Sequence, residues 1–126
     1  MKKLITAIVT DYDLTVPQYG ILRRLWQQEG LSASDLVKQT NSDSSTMMAI
    51  LDRLEEKELI QKTPHSSDRR VNIILLTDQA KAFLPEMLAK VIHLEQSLIK
   101  AFSKDEIINL RSSLKKLYEA AISQRT

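Results

Sequence analysis

Apolar residues recur along this chain at two different spacings, and the change from one to the other divides it. Tyr19, Leu22, Leu25 and Trp26 follow at steps of three and four or stand side by side, which predicts a helix with one buried stripe. Thr15 is placed to cap it, and Pro17 falls in the first turn, where its missing N–H has no partner to lose. Gly30 terminates that helix. Ser32 and Asp35 then make a capping box for a short helix to about Thr40, with Leu36 and Val37 inward. The polar run from Asn41 to Ser45 breaks the pattern, because such side chains bond their own backbone in turns. Asp43 or Ser44 caps the next helix, predicted from about Ser44 to Lys57, with Met47, Ile50, Leu51 and Leu54 on its apolar face.

Between Leu59 and Thr77 the spacing changes to that of two β-type runs joined by a polar, basic tip carrying Arg69 and Arg70. A two-stranded ribbon buries little by itself, so it must lean on the helices before it and leave its tip in solvent. Helical spacing resumes after Thr77 or Asp78 and runs through Phe83, Leu84, Met87, Leu88, Val91, Leu94, Leu98, Ile99 and Phe102. Pro85 inside this run implies a bend, or a helix that begins properly only near there. Ser103 and Glu106 make another capping box, opening a last helix with Ile107, Leu110, Leu114, Leu117, Tyr118 and Ala121 inward. These two helices carry more apolar surface than a lobe of about 60 residues can cover, so part of it is expected to be buried against a second copy. The segment before Asp11 reads as a helix rather than a signal peptide, since Thr6 and Thr10 interrupt its apolar run.

Composition narrows the function classes. At 126 residues one domain is expected, and with 5% aromatic residues its core must come from Leu, Ile, Val, Met and Ala, which suits packed helices. The fold class expected is mainly α with a small β-ribbon. A net charge of +2 does not by itself indicate a nucleic-acid partner, because the 18 basic residues are nearly matched by 16 acidic ones. Absence of cysteine removes disulfides, zinc-thiolate sites and thiol nucleophiles. His65 and His93 lie on different elements, so no metal site is expected; two glycines cannot furnish a phosphate cradle, so no cofactor is expected either. The serines from Ser42 to Ser45 have no histidine at motif spacing to activate them, and catalysis is not expected. No apolar stretch approaches the roughly 20 residues a bilayer requires, which leads to the expectation of a cytoplasmic protein.

Two short helices separated by a tight polar turn form a helix-turn-helix arrangement. In it the start of the second helix meets the major groove, where Ser42, Ser44, Ser45 and Thr46 offer short hydrogen-bonding side chains. The plainer alternative is that they only cap a helix. A basic hairpin projecting beside such a pair is a DNA-binding wing.

On these residues the chain resembles the MarR family of winged-helix regulators. LTVPQYGIL is similar to the family's L-T-x-x-Q-aromatic opening, LDRLEEKELIQK to its recognition-helix exit, and DRRVNIILLT, from Asp68 to Thr77, to its D-x-R wing followed by L-T. The resemblance implies a winged lobe over residues 14–76 and a helical dimerisation region from residues 1–13 and 77–126, within one domain. It implies a homodimer on a pseudo-palindromic double-stranded operator, with Arg70 in the minor groove and Asp68 paired to it. A guanidinium sheds hydration readily, which suits that narrow groove. Without that context, Asp68, Arg69 and Arg70 merely solvate a hairpin. Lys62 and His65 extend the basic edge, and Lys38 and Arg53 are placed to reach phosphates, though each is singly an ordinary surface residue.

A small aromatic effector at the dimer junction is also implied. Tyr19, Trp26 and Met87 are the candidates to line its pocket, the alternative being that Trp26 and Met87 are simply core.

The chain departs from the family pattern in three places. Met48 and Ala49 stand where many members have Thr-Arg, so base readout falls to Ser44, Ser45 and Thr46 with apolar contact to thymine methyls. Glu58 replaces the usual glycine after the recognition helix, requiring a costly left-handed residue or a different turn. The first helix is short, which reduces or rearranges the dimer interface. The reading that follows is a dimeric, sequence-specific transcriptional regulator, in most members a repressor. The alternatives are a winged-helix interaction module or antirepressor without DNA affinity, and a helical dimerisation protein whose ribbon is structural.

Overall fold

The computed structural model describes residues 2–64 and 71–125. Six helices and two strands follow in the order α1 (Lys2–Thr10), α2 (Val16–Gln27), α3 (Ala33–Thr40), α4 (Ser44–Glu56), β1 (Ile60–Pro64), β2 (Asn72–Leu76), α5 (Asp78–Ile99) and α6 (Lys104–Arg125).

Helix starts are set by the side chains expected to set them. Thr15 Oγ1 accepts from the Gln18 amide at 3.3 Å while Gln18 Oε1 accepts from the Thr15 amide at 3.1 Å. Ser32 and Asp35 do the same for α3 at 3.1 and 2.9 Å. The amide of Asp35's partner Ser32, then the Ser32 hydroxyl, hold the Asp35 carboxyl below its ordinary pKa. Thr77, not Asp78, caps α5: its hydroxyl accepts from the Ala80 amide at 3.2 Å and donates to the Glu58 carbonyl at 2.7 Å. That cap resolves the two readings of Pro85, because the helix begins at Asp78 and contains Pro85.

Packing falls into two compact units, Met1–Val91 and Ile92–Thr126. In the first, Val9 from α1, Leu22 from α2, Leu36 from α3, Leu51 and Leu54 from α4, Ile60 and Ile74 from the ribbon, and Leu84, Met87 and Val91 from α5 form one closed core. Each fully buried leucine stabilises it by roughly 1.5–3 kcal/mol. Tyr12 ties α1 to α5: its ring stacks on Phe83 with centroids 5.5 Å apart. The Lys90 ammonium lies 5.0 Å from that ring's centroid but 2.9 Å from its hydroxyl, so the contact is a hydrogen bond at the ring edge.

The ribbon leans on the helices as expected. Its antiparallel register pairs Ile60 with Leu76, Lys62 with Ile74 and Pro64 with Asn72. The Ile74 amide also donates to the Leu31 carbonyl at 2.9 Å, so β2 is pinned to the α2–α3 connection as well as to β1.

The second unit holds the last turns of α5, a tight connection and α6. Glu106 and Ser103 cap α6 reciprocally at 2.9 and 3.1 Å. Leu110, Leu114, Leu117 and Tyr118, expected to face inward, are 46–67% exposed in the single chain. The three leucines form a solvent-exposed apolar stripe along α6.

One further sequence expectation is corrected, and another is resolved between its two alternatives. Trp26 is not part of the buried stripe of α2: it is 42% exposed, whereas Tyr19, Leu22 and Leu25 are buried. It follows Leu25 directly near the helix end, where successive residues point 100° apart and the core no longer reaches round. Glu58 does adopt the left-handed conformation, with φ of 61°.

Candidate nucleic-acid interface

The geometry of the site follows from how α4 is held. Asn41 ends α3 in the left-handed conformation at φ 54°, a shape its short amide tolerates, and the chain turns sharply. Asp43 then caps α4, its Oδ1 accepting from the Thr46 amide at 2.6 Å. At the far end, Lys57 donates to the Asp13 carbonyl and to Gln18 Oε1, the latter at 3.0 Å, tying the helix terminus to the corner before α2. The α4 helix is therefore fixed at both ends.

Its two faces divide sharply. Met47, Leu51 and Leu54 are fully buried, while Ser44, Ser45, Thr46, Met48 and Ala49 are exposed and Ser42, in the turn, is half-buried. The spacing of three and four that sends the first set inward carries Ser45, Met48, Ala49, Asp52, Arg53 and Glu56 along the outward stripe. Of the recognition-helix residues expected from the sequence, Ser44, Ser45, Thr46, Met48 and Ala49 lie at the start of α4 or on this stripe, and Ser42 precedes the helix. Lys38 on α3 and Arg53 on α4 are exposed too, and neither is held in a salt bridge among the described residues. His65, Asp68, Arg69 and Arg70 lie outside the described residues.

Lys62 corrects the sequence reading. It does not extend the basic edge of the ribbon; its Nζ lies 2.5 Å from Asp52 Oδ1 and 3.6 Å from Glu55 Oε1, and its side chain is only 17% exposed. The bond it donates to Asp52 raises the lysine pKa above its ordinary value. The cause is strand alternation: Lys62 shares a face with Ile60 and with its cross-strand partner Ile74, both buried. That period of two, together with carboxylates three apart at Asp52 and Glu55, was the signal available in the sequence. Lys57 was missed altogether, and no local pattern announces a bond across 44 residues.

Tyr19, Trp26 and Met87, expected to line an effector pocket at a dimer junction, differ in exposure within the single chain. Tyr19 and Met87 are consumed by the core, and the Tyr19 hydroxyl accepts from Arg23 at 2.6 Å. Trp26 instead borders an open cleft of about 690 Å³ with Glu29, Leu75 and Lys81 on the surface of the first unit. No helix among the described residues is long and apolar enough to cross a membrane.

A polar-started helix lying outward on a buried base, flanked by a pinned two-stranded ribbon, defines a winged helix-turn-helix protein. The chain belongs to the MarR family, whose sequence model matches residues 14–71. It is 32% identical over 120 residues to the HTH-type transcriptional regulator SarZ of Staphylococcus aureus, spanning 93% of this chain and 80% of SarZ. Its structure is similar to that of MepR from S. aureus in a DNA complex, with a TM-score of 0.86, 26% identity, and coverage of 96% of this chain and 89% of that one. It is also similar to Bordetella bronchiseptica BpsR, whose DNA binding is regulated by 6-hydroxynicotinic acid, with a TM-score of 0.81, 26% identity, and coverage of 93% and 84%. The protein is a DNA-binding transcriptional regulator and not an enzyme.

Proposed function

We propose that the chain acts as a homodimeric, sequence-specific repressor on a pseudo-palindromic operator, released by a small aromatic ligand. The observation that carries the reading is the outward face of α4, which presents Ser44, Ser45, Thr46, Met48 and Ala49 to solvent on a helix fixed at both ends. Short hydroxyls and free N-terminal amides suit close approach to phosphates and base edges, and Met48 suits thymine methyls. Lys38 and Arg53 supply phosphate contacts, and Arg70 at the wing enters the minor groove.

The exposed stripe of Leu110, Leu114 and Leu117 supports pairing with a second copy. The DNA complex of MepR and the ligand regulation of BpsR support operator binding and release. The test is selection of bound duplexes from a random pool, then fluorescence anisotropy with wild type and Arg70→Ala, with light scattering to count protomers. Binding that weakens steeply with salt, falls in the Arg70 variant and comes from a dimer is expected. No duplex affinity even at low salt identifies a protein-interaction module instead.

A further inference from the structure

The recognition helix of a protein that must approach a polyanion carries three carboxylates in its last two turns: Asp52, Glu55 and Glu56. Asp52 and Glu56 lie on the outward stripe, and the Asp52 side chain is 57% exposed. A phosphate backbone laid along α4 meets this negative charge directly. Lys62 is the one described cation bridging Asp52 and Glu55, and it comes from the neighbouring strand, so the same contact holds the ribbon to the helix.

We infer that Lys62 is a positioning residue for DNA binding, an internal counterion that masks Asp52 and Glu55 so that α4 can lie against the duplex, without itself touching phosphate. The inference rests on α4 being the face that meets DNA. Three features carry it. The Lys62 ammonium is directed at two carboxylates rather than outward, its side chain is largely shielded, and neither acid has another cation bound to it among the described residues.

Three roles for Lys62 are separated by one double-mutant cycle on a mixed-sequence duplex of about 30 base pairs at low salt. As a counterion, Lys62→Gln weakens binding about five-fold by leaving the carboxylates uncompensated. Asp52→Asn in the same chain then restores most of that loss, although the Lys62–Asp52 bond is still missing. Lys62→Arg binds like wild type. The salt dependence of the Lys62→Gln variant keeps its slope, because no phosphate contact has been removed.

If Lys62 were only a tie between strand and helix, the double variant would bind as weakly as Lys62→Gln. A direct phosphate contact would lower the salt slope by about 0.9, and Asp52→Asn would bring no selective rescue. Either result, or an unaffected Lys62→Gln variant, overturns the inference. Thermal unfolding of each variant ensures that folded proteins are compared. A wild type that fails to bind duplex at all takes down the DNA reading and this one together, whereas a binding wild type with an additive cycle takes down this one alone.

Discussion

Glu58→Gly is expected to stabilise the protein. Glu58 stands just past α4 at φ 61°, where its Cβ crowds its own carbonyl oxygen. Its amide donates to the Glu55 carbonyl at 2.9 Å and its carbonyl accepts from the Thr77 hydroxyl at 2.7 Å, and both bonds engage only the main chain of Glu58 and survive the substitution. Its side chain is exposed and has no hydrogen-bond or ion-pair partner among the described residues, so little contact is lost. Left-handed backbone costs a residue with a side chain about 1–2 kcal/mol. The freer unfolded chain of glycine offsets about 0.4–1 kcal/mol of that relief. A net gain of about 0.5–1 kcal/mol remains, raising the melting midpoint by roughly 1–4 °C for a chain of this size. The assay is thermal and urea unfolding followed by circular dichroism at one fixed protein concentration, since pairing with a second copy would otherwise shift the midpoint. Glu58→Ala is the control: it removes the charge but keeps the Cβ, and should stay within about 0.5 kcal/mol of wild type. If alanine stabilises as much as glycine, charge rather than backbone strain governs this position. A glycine variant no more stable than wild type refutes the strain argument outright.

Leu54→Ala, emptying a site with no solvent exposure, should cost about 2–5 kcal/mol, enough to unfold a marginal domain, as urea titration would reveal. Asp43→Ala removes the cap of α4 and should cost about 1 kcal/mol while weakening duplex binding, whereas Asp43→Ser should recover most of the stability in the same unfolding assay. The folded Asp35 carboxyl lies below its ordinary value near 3.8, so the folded state binds fewer protons than the unfolded chain in acid. Its contribution is complete above the unfolded value and disappears as pH falls through the folded one. The acid limb of the stability–pH curve should accordingly be shallower for Asp35→Asn, measured against wild type by urea unfolding from neutral to strongly acidic pH.

Local signals carried the fold far. Caps at Ser32 and Ser103 are read from residues three apart, the cap at Thr15 from the proline that follows it, and the apolar stripe of α4 from its spacing; each is a short-range rule that tertiary contacts reinforce. The left-handed Glu58 was legible because its alternatives were few. Trp26 was misread since periodicity says which side of a helix is apolar but not where the core ends. Lys62 was misread as a surface cation because composition was allowed to outweigh strand alternation, and its partners lie 10 and 7 residues away on another element. The candidate effector-pocket residues carry a related ambiguity. Aromatic and sulfur side chains at helical spacing serve core and ligand equally well, and Tyr19 and Met87 went to the core.

The division of labour on α4 also bears on how such a regulator changes over time. Met47, Leu51 and Leu54 are fully buried, and Asp43 and Lys57 fix the ends, while Ser45 and Ala49 point into solvent and take part in neither task. Substitutions at those two positions cost little stability, so the outward surface of the helix is free to change by single steps without passing through unstable intermediates.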